Sequence, residues 1–372
     1  MQETKNKRIA YLDVLRVLAT FMVIMVHAGD AYLYEASTLT FRTANSLYAV
    51  LLRASVPLFI IMSSILLLPI KTDNQTFFKR RFVRVVIPFL FWSIIYVFLP
   101  VPNKLAFGGP TNALTDGGMN VYLYNLLMIP LNFTGSNVHF WFIYIILGLY
   151  LFMPVISPWL KTASKKALLF YLAAWVATLF FPYLRLVFPQ IHGECDWNSF
   201  GMLYYFGGYL GYIILGYFLH HYNRLNTIYS IGMGLLLYAA GAGLTYVGFI
   251  ADQNAFLHKL ASHGVEDWKL IEFNISYLAP NVVMMTTGVF IMVQKLHIPE
   301  TMRKVFAHLS IKSYGIFLVH YILCLWLSAL LKDVLMLHPG VEQLVVAVLI
   351  SIASYGVVRI LSYMPYSKYM VG

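Results

Sequence analysis

The chain has 372 residues, 60% apolar and only 11% charged, with a mean hydropathy of +0.72. A soluble domain of that length needs far more polar surface and would show apolar stripes at helical spacing, so a soluble all-α protein is excluded. The formal charge of +11 implies no nucleic-acid partner: the basic residues are scattered among loops, with no basic domain and no zinc-finger spacing.

The apolar residues fall in runs of roughly twenty, the length a helix needs to cross about 30 Å of hydrocarbon. In chain order the runs predict ten spans, at roughly 9–29, 45–69, 82–101, 139–159, 167–187, 203–221, 227–250, 275–295, 309–331 and 343–363. The expected fold class is all-α, a polytopic transmembrane helix bundle, with residues 1–372 forming one integral-membrane domain. Met1 to Arg8 is polar and basic, and Val26 to Asp30 makes a poor cleavage site, so the first run is expected to remain as a helix. Basic residues gather in alternate loops. One set contains Lys79, Arg80, Arg81, Lys165, Lys166, Arg303 and Lys304 among others, while the opposite set holds only Arg42, Lys104, Lys259, Lys269 and Lys332. That bias predicts that both termini face the cytoplasm of a multi-pass cell-membrane protein. Two loops on the other side are long or polar: 102–138, with an apolar stretch Val121 to Ile129 too short to span, and 188–202, with His192, Glu194, Asp196 and Trp197. Cys195 and Cys324 are too far apart to form a metal motif, and no metal is expected. Nothing in the sequence fixes an oligomeric state.

Charged groups inside a span cost at least about 2.5–3.5 kcal/mol, so they suggest a partner or a task. The first run carries Asp13, Arg16 and His27. Asp13 and Arg16 are three apart and meet on a helix. The eleven-residue step from Arg16 to His27 is within about 20° of three full turns, so both share a face about 16 Å apart. The same spacing fits an interfacial ion pair with His27 only capping the outer end. Arg81 and Arg84 sit three apart at the start of the third span, where guanidinium forks suit phosphates. Arg84 is expected to lie a turn deeper. His139 and Trp141 begin the fourth span, and His320, in the ninth, needs a hydrogen-bond partner.

In sequence order, several segments are similar to motifs of the integral-membrane acyltransferase-3 family. They are Leu12-Asp13-Val14-Leu15-Arg16 with His27, Val56-Pro57 through Ser63-Ser64, Arg81-Phe82-Val83-Arg84 with Ile87-Pro88, His139-Phe140-Trp141-Phe142 with Leu149-Tyr150-Leu151, and Ser313-Tyr314-Gly315 through His320. The ordered set covers residues 12–320, and it departs from the family at Ser64, where glycine is usual. The length, with no appended hydrolase-like domain, looks most like the branch containing the enterobacterial common antigen O-acetyltransferase.

The resemblance implies transfer of an acyl group, usually acetyl from acetyl-CoA, to a hydroxyl of a cell-surface glycan or its lipid-linked precursor. The family's first-helix histidine and arginine map onto His27 and Arg16, with Asp13 anchoring Arg16 in the catalytic set, and its arginine pair maps onto Arg81 and Arg84. A polyanionic cytosolic donor is expected to bind Arg81, Arg84 and Arg16. His139, Trp141, His320 and Ser63 are candidate acceptor contacts. Imidazole suits a base near neutral pH, so His27 either activates the acceptor hydroxyl or transiently carries the acyl group. The competing readings are a transporter or flippase of a glycan or lipid-linked substrate, and an N-acyltransferase acting on an amino sugar.

Overall fold

The computed structural model describes residues 8–33, 47–99, 120–188, 190, 206–263, 272–331, 334–335 and 337–372. Among these, the regular structure is helical throughout. In order it comprises α1 (Ala10–Leu33), α2 (Ser55–Leu67), α3 (Asn74–Arg81), a π turn (Phe82–Val86), α4 (Ile87–Phe98), α5 (Val121–Met128) and a 3-10 turn (Gly135–Phe140). Then follow α6 (Trp141–Thr162), α7 (Lys165–Thr178), α8 (Phe181–Val187), α9 (Leu210–Tyr222), α10 (Thr227–His263), α11 (Pro280–Gln294), α12 (Glu300–Leu331) and α13 (Pro339–Leu361), with a final 3-10 turn at Ser367–Tyr369.

Eight stretches among the described residues are long and apolar enough to cross a membrane. The expected spans 203–221 and 275–295 contain shorter helices, α9 and α11. Pro280 sets the start of α11 at a position where its missing N–H costs nothing. α10 continues to His263, and α12 begins at Glu300, earlier than its apolar run. The first turns of α12 carry Glu300, Arg303 and Lys304, which reads as loop by hydropathy although those residues are good helix formers. The stretch from Val121 forms one eight-residue helix, capped by the Asn120 side chain accepting from the Tyr122 N–H at 2.9 Å. Cys195 and the residues singled out at 192–197 lie outside the described residues.

The chain clusters into two compact units: residues 1–19, 49–69 and 152–307, and residues 20–48, 70–151 and 308–372. In the first unit, α10 and α11 pack along their lengths. Gly234, Gly241 and Gly248 recur every seven residues on α10, and a Cβ at each would collide with α11 or with Asn274 just before it. Small residues let helix backbones approach where lipid gives no hydrophobic drive. At Gly241 the obstructing atoms are the Asn281 carbonyl oxygen and the Met285 side chain. A polar chain completes the seam. The Thr245 hydroxyl donates to the Gly241 carbonyl and accepts from Asn281 Nδ2, both at 2.7 Å. Asp252 accepts from the Asn274 backbone and side-chain N–H groups, both at 2.8 Å. Ser64, where the family has glycine, is fully buried on α2 and donates to the Ile213 carbonyl. That bond explains how a polar side chain is accommodated there.

Gly241→Val forces these backbones apart and is expected to cost about 1–3 kcal/mol, read as a lower unfolding temperature in detergent. Gly243, two residues on, faces open space, and Gly243→Val should leave that temperature unchanged.

Candidate active site

The second unit gathers three imidazoles that lie far apart in sequence. α1 brings His27 and is held beside it by Gln343, which donates to the Met25 carbonyl at 2.9 Å. A Cβ on Gly29 would strike the Gln343 amide, so glycine here permits the close approach of α13. His139 stands in the 3-10 turn. Asn137 breaks that turn with φ −134° and ψ 36°, and its Oδ1 accepts from the Thr134 N–H at 2.6 Å. α12 supplies Phe317, His320 and Tyr321, and α4 supplies Tyr96.

Ring centres are 5.5 Å apart for His27 and His320, 5.0 Å for His139 and His320, and 6.2 Å for His27 and His139. Tyr321 stacks on His139 at 4.9 Å and meets His27 edge-on at 5.1 Å. Among the described residues no three His, Cys, Asp or Glu side chains are placed to hold a metal ion. His139 meets His27 and His320 edge to face, whereas His27 and His320 are tilted by 43°.

Hydrogen bonding sets the tautomer of His320. Its Nδ1 lies 2.7 Å from the Phe317 carbonyl, which can only accept, so Nδ1 carries the proton and Nε2 of the neutral ring carries the lone pair. His320 is 0% exposed and its Nε2 meets no hydrogen-bond partner among the described residues; the same holds for both nitrogens of His139, which is 1% exposed. Leaving such groups unsatisfied costs roughly 1–3 kcal/mol each, and orphaned atoms of this kind mark a place prepared for a ligand. Tyr96 opens α12 at the same level. Its hydroxyl donates to the Leu318 carbonyl at 3.0 Å and accepts from the Ile322 N–H at 3.2 Å. Those two groups bond each other in a regular helix, so the phenol is inserted into the ladder.

The arginine pair also lies in the second unit. Pro88 has no N–H to give the Arg84 carbonyl, and the chain answers with a π turn, in which the Ile87 N–H reaches back to Phe82. Such turns occur often at functional positions. The Val85 carbonyl accepts from the Tyr314 hydroxyl at 2.7 Å, and Trp92 Nε1 donates to the Met370 carbonyl at 2.8 Å, bringing the final 3-10 turn against the π turn. Arg81 is half-buried beside Tyr150, with no partner among the described residues for its Nε, whereas Arg84 is exposed. The widened turn changes the angular offset between positions three apart, and Arg81 becomes the buried member.

The remaining candidates are distributed differently. Trp141 opens α6, and its ring packs on Phe142. Ser63 belongs to the first unit and is half-buried on α2. Asp13, also in the first unit, is 6% exposed and accepts from both Nε and Nη2 of Arg8, at 2.6 and 2.8 Å. Arg8 also donates to the Ala307 carbonyl. The bond to Asp13 raises the Arg8 pKa further, against partial desolvation. Spacing along a regular helix did not point to Arg8, because the chain before α1 is not helical. Arg16 and His27 lie on the one continuous helix α1. Tyr96 and Tyr321 went unnoticed in the sequence, since a tyrosine in an apolar run carries no signal of its own.

The acyltransferase-domain model of the acyltransferase-3 family matches residues 9–363. The chain belongs to that family. No curated protein and no solved structure matches it. Among the described residues of this membrane acyltransferase, the imidazole cluster and the arginine-bearing π turn are built from the very segments that carry the family likeness.

Arg8 is 44% exposed and Asp13 only 9% by side chain, so the pair should be worth less than a fully buried one. A double-mutant cycle of Arg8→Ala with Asp13→Asn, followed by thermal unfolding of the acyltransferase, should give a coupling of about 1 kcal/mol.

Proposed function

We propose that this acyltransferase moves an acetyl group from cytosolic acetyl-CoA to a hydroxyl of a cell-surface glycan or lipid-linked precursor, from a multi-pass position in the cell (inner) membrane. The observation that carries the reading is the gathering of His27, His139 and His320 in one cluster, in which His320 Nε2 and both nitrogens of His139 are buried without a partner among the described residues. Acyl transfer to an alcohol needs a base for the hydroxyl proton and donors for the developing oxyanion, and imidazoles supply both roles according to tautomer. His27 takes the hydroxyl proton or carries the acyl group.

The donor is polyanionic, and the basic start of the third span suits it. Lys79, Arg80 and Arg81 end α3, and the half-buried Arg81 guanidinium keeps a donor without a partner among the described residues. Arg84 stands exposed beyond it, ready to meet an outlying phosphate. Arg16 shares α1 with His27, and the separation of about 16 Å along that helix matches an extended pantetheine arm. The loop-charge bias supports ten spans with both termini cytoplasmic, putting these arginines on the side where coenzyme A is found. The acceptor meets the cluster at His139 and His320, with Trp141 as a further contact. The branch containing the enterobacterial common antigen O-acetyltransferase is the one we propose.

Purified protein with native membranes as acceptor should consume acetyl-CoA. His27→Ala is expected to lower that rate about 10²–10⁴-fold, with its unfolding temperature retained; undiminished turnover would remove His27 from the mechanism. Arg81→Ala and Arg84→Ala should each weaken acetyl-CoA binding roughly tenfold to a hundredfold, measured by titration calorimetry. Unchanged affinity in both would refute the donor site, and a protein that never cleaves the thioester would be better read as a transporter.

A further inference from the structure

We infer that the two roles left open for His27 are divided between two imidazoles: His27 carries the acyl group, and His320 Nε2 is the base that takes the proton of the incoming hydroxyl. The inference rests on the acyl-transfer reading above and concerns the same cluster.

The geometry separates the two rings. A general base needs a lone pair aimed at the reacting proton and a third group that fixes its tautomer. His320 has both. Its Nδ1–H is committed to the Phe317 carbonyl at 2.7 Å, and its Nε2 is buried with no partner among the described residues. No rotation can give Nε2 a solvent partner, because the side chain is 0% exposed and Nδ1 is already held. The Tyr96 hydroxyl, bridging Leu318 and Ile322, fixes the turn of α12 on which His320 sits. His27 is only partly buried. That position suits a nucleophile approached by the thioester. His139, with neither nitrogen held among the described residues, offers one donor and one acceptor in either tautomer. A polyol presents both kinds of group in return, so His139 can hold a hydroxyl while another donates to His320.

The steps balance. In the first, a nitrogen of His27 attacks the thioester carbonyl carbon; the C–N bond forms, the C–S bond breaks, and the thiolate leaves as the thiol with the His27 ring proton. In the second, the acceptor oxygen attacks the acyl carbon while its proton passes to His320 Nε2. The C–N bond then breaks, and the proton on His320 returns to the His27 ring. The net change is thioester plus alcohol to ester plus thiol.

The test uses the full chain in nanodiscs with acetyl-labelled acetyl-CoA and two acceptors that need no knowledge of the glycan, water and neutral hydroxylamine. Hydroxylamine attacks through a free lone pair and needs little help from a base, whereas water needs its proton removed. Wild type should release about one thiol per protein in a burst and retain the label. His320→Asn keeps a donor for the Phe317 carbonyl and removes Nε2. It should show the same burst, lose the label to water about 10²-fold more slowly, and lose it to hydroxylamine at the wild-type rate. Loss to water at the wild-type rate would overturn the proposal. So would disappearance of the burst in both His320→Asn and His320→Gln with unfolding temperatures retained, since His320 would then serve only to position His27. Where wild type transfers acetyl to native membranes but shows no burst or retained label, the divided mechanism fails and the acyltransferase reading survives. Where it consumes no thioester under either condition, the reading itself fails.

Discussion

A polar atom inside a membrane-spanning helix has no water to turn to, so each must be satisfied by the protein or held in readiness for something else. That constraint organises the second unit. The Tyr96 hydroxyl is spent on Leu318 and Ile322, the Gln343 amide on Met25, and one nitrogen of His320 on Phe317. What those bonds leave over is a lone pair on His320 and both nitrogens of His139. Gln343 Oε1 and the Ser93 hydroxyl are also buried without a partner among the described residues, but the two rings lie directly against each other. Two adjacent rings with unmade bonds suit a hydroxyl-bearing ligand, which can donate to one and accept from the other.

The first unit shows the opposite outcome from similar materials. Asp252, Asn274, Asn281 and Thr245 form a chain in which the carboxylate receives both Asn274 donors and Asn281 passes hydrogen bonds to Thr245 and the Asn274 carbonyl. With the glycines at 234, 241 and 248 bringing the backbones close, this network closes on itself and serves packing. Polar residues in a span are therefore not equivalent. The count of unmade bonds, more than the number of polar groups, separates a structural seam from a reactive cluster.

Much of this was legible in the sequence, and the exceptions have physical causes. The apolar runs located a helix within every expected span, because the thickness of hydrocarbon demands them. Their ends were less legible: hydropathy reads Glu300, Arg303 and Lys304 as loop, yet the backbone is helical there, since a helix can leave the membrane without stopping. His27, His139 and His320 each stood out singly as buried titratable groups, but their meeting depends on contacts between helices up to hundreds of residues apart, which spacing along one helix cannot reveal. Facing arguments assume a regular helix. Pro88 widens the turn around Arg84, and the two arginines differ in burial, Arg81 half-buried and Arg84 exposed. The Arg8 partner of Asp13 was invisible for a related reason, since it approaches from chain that precedes the helix.

The choice of orienting group is the step that makes such a cluster workable in lipid. A carboxylate behind an imidazole would sharpen its basicity but would place a formal charge where desolvation costs several kcal/mol. In His320 the orienting group is the backbone carbonyl of Phe317, which is already present, already dipolar and uncharged. The ring can then wait as a neutral molecule with its lone pair exposed to the ligand alone. Charge appears only during transfer, when the proton arrives together with a departing group that will reclaim it. Insertion of Tyr96 beside that turn follows the same logic. It holds the α12 backbone in place through a neutral hydroxyl, so the position of the base is set by groups that carry no net charge of their own.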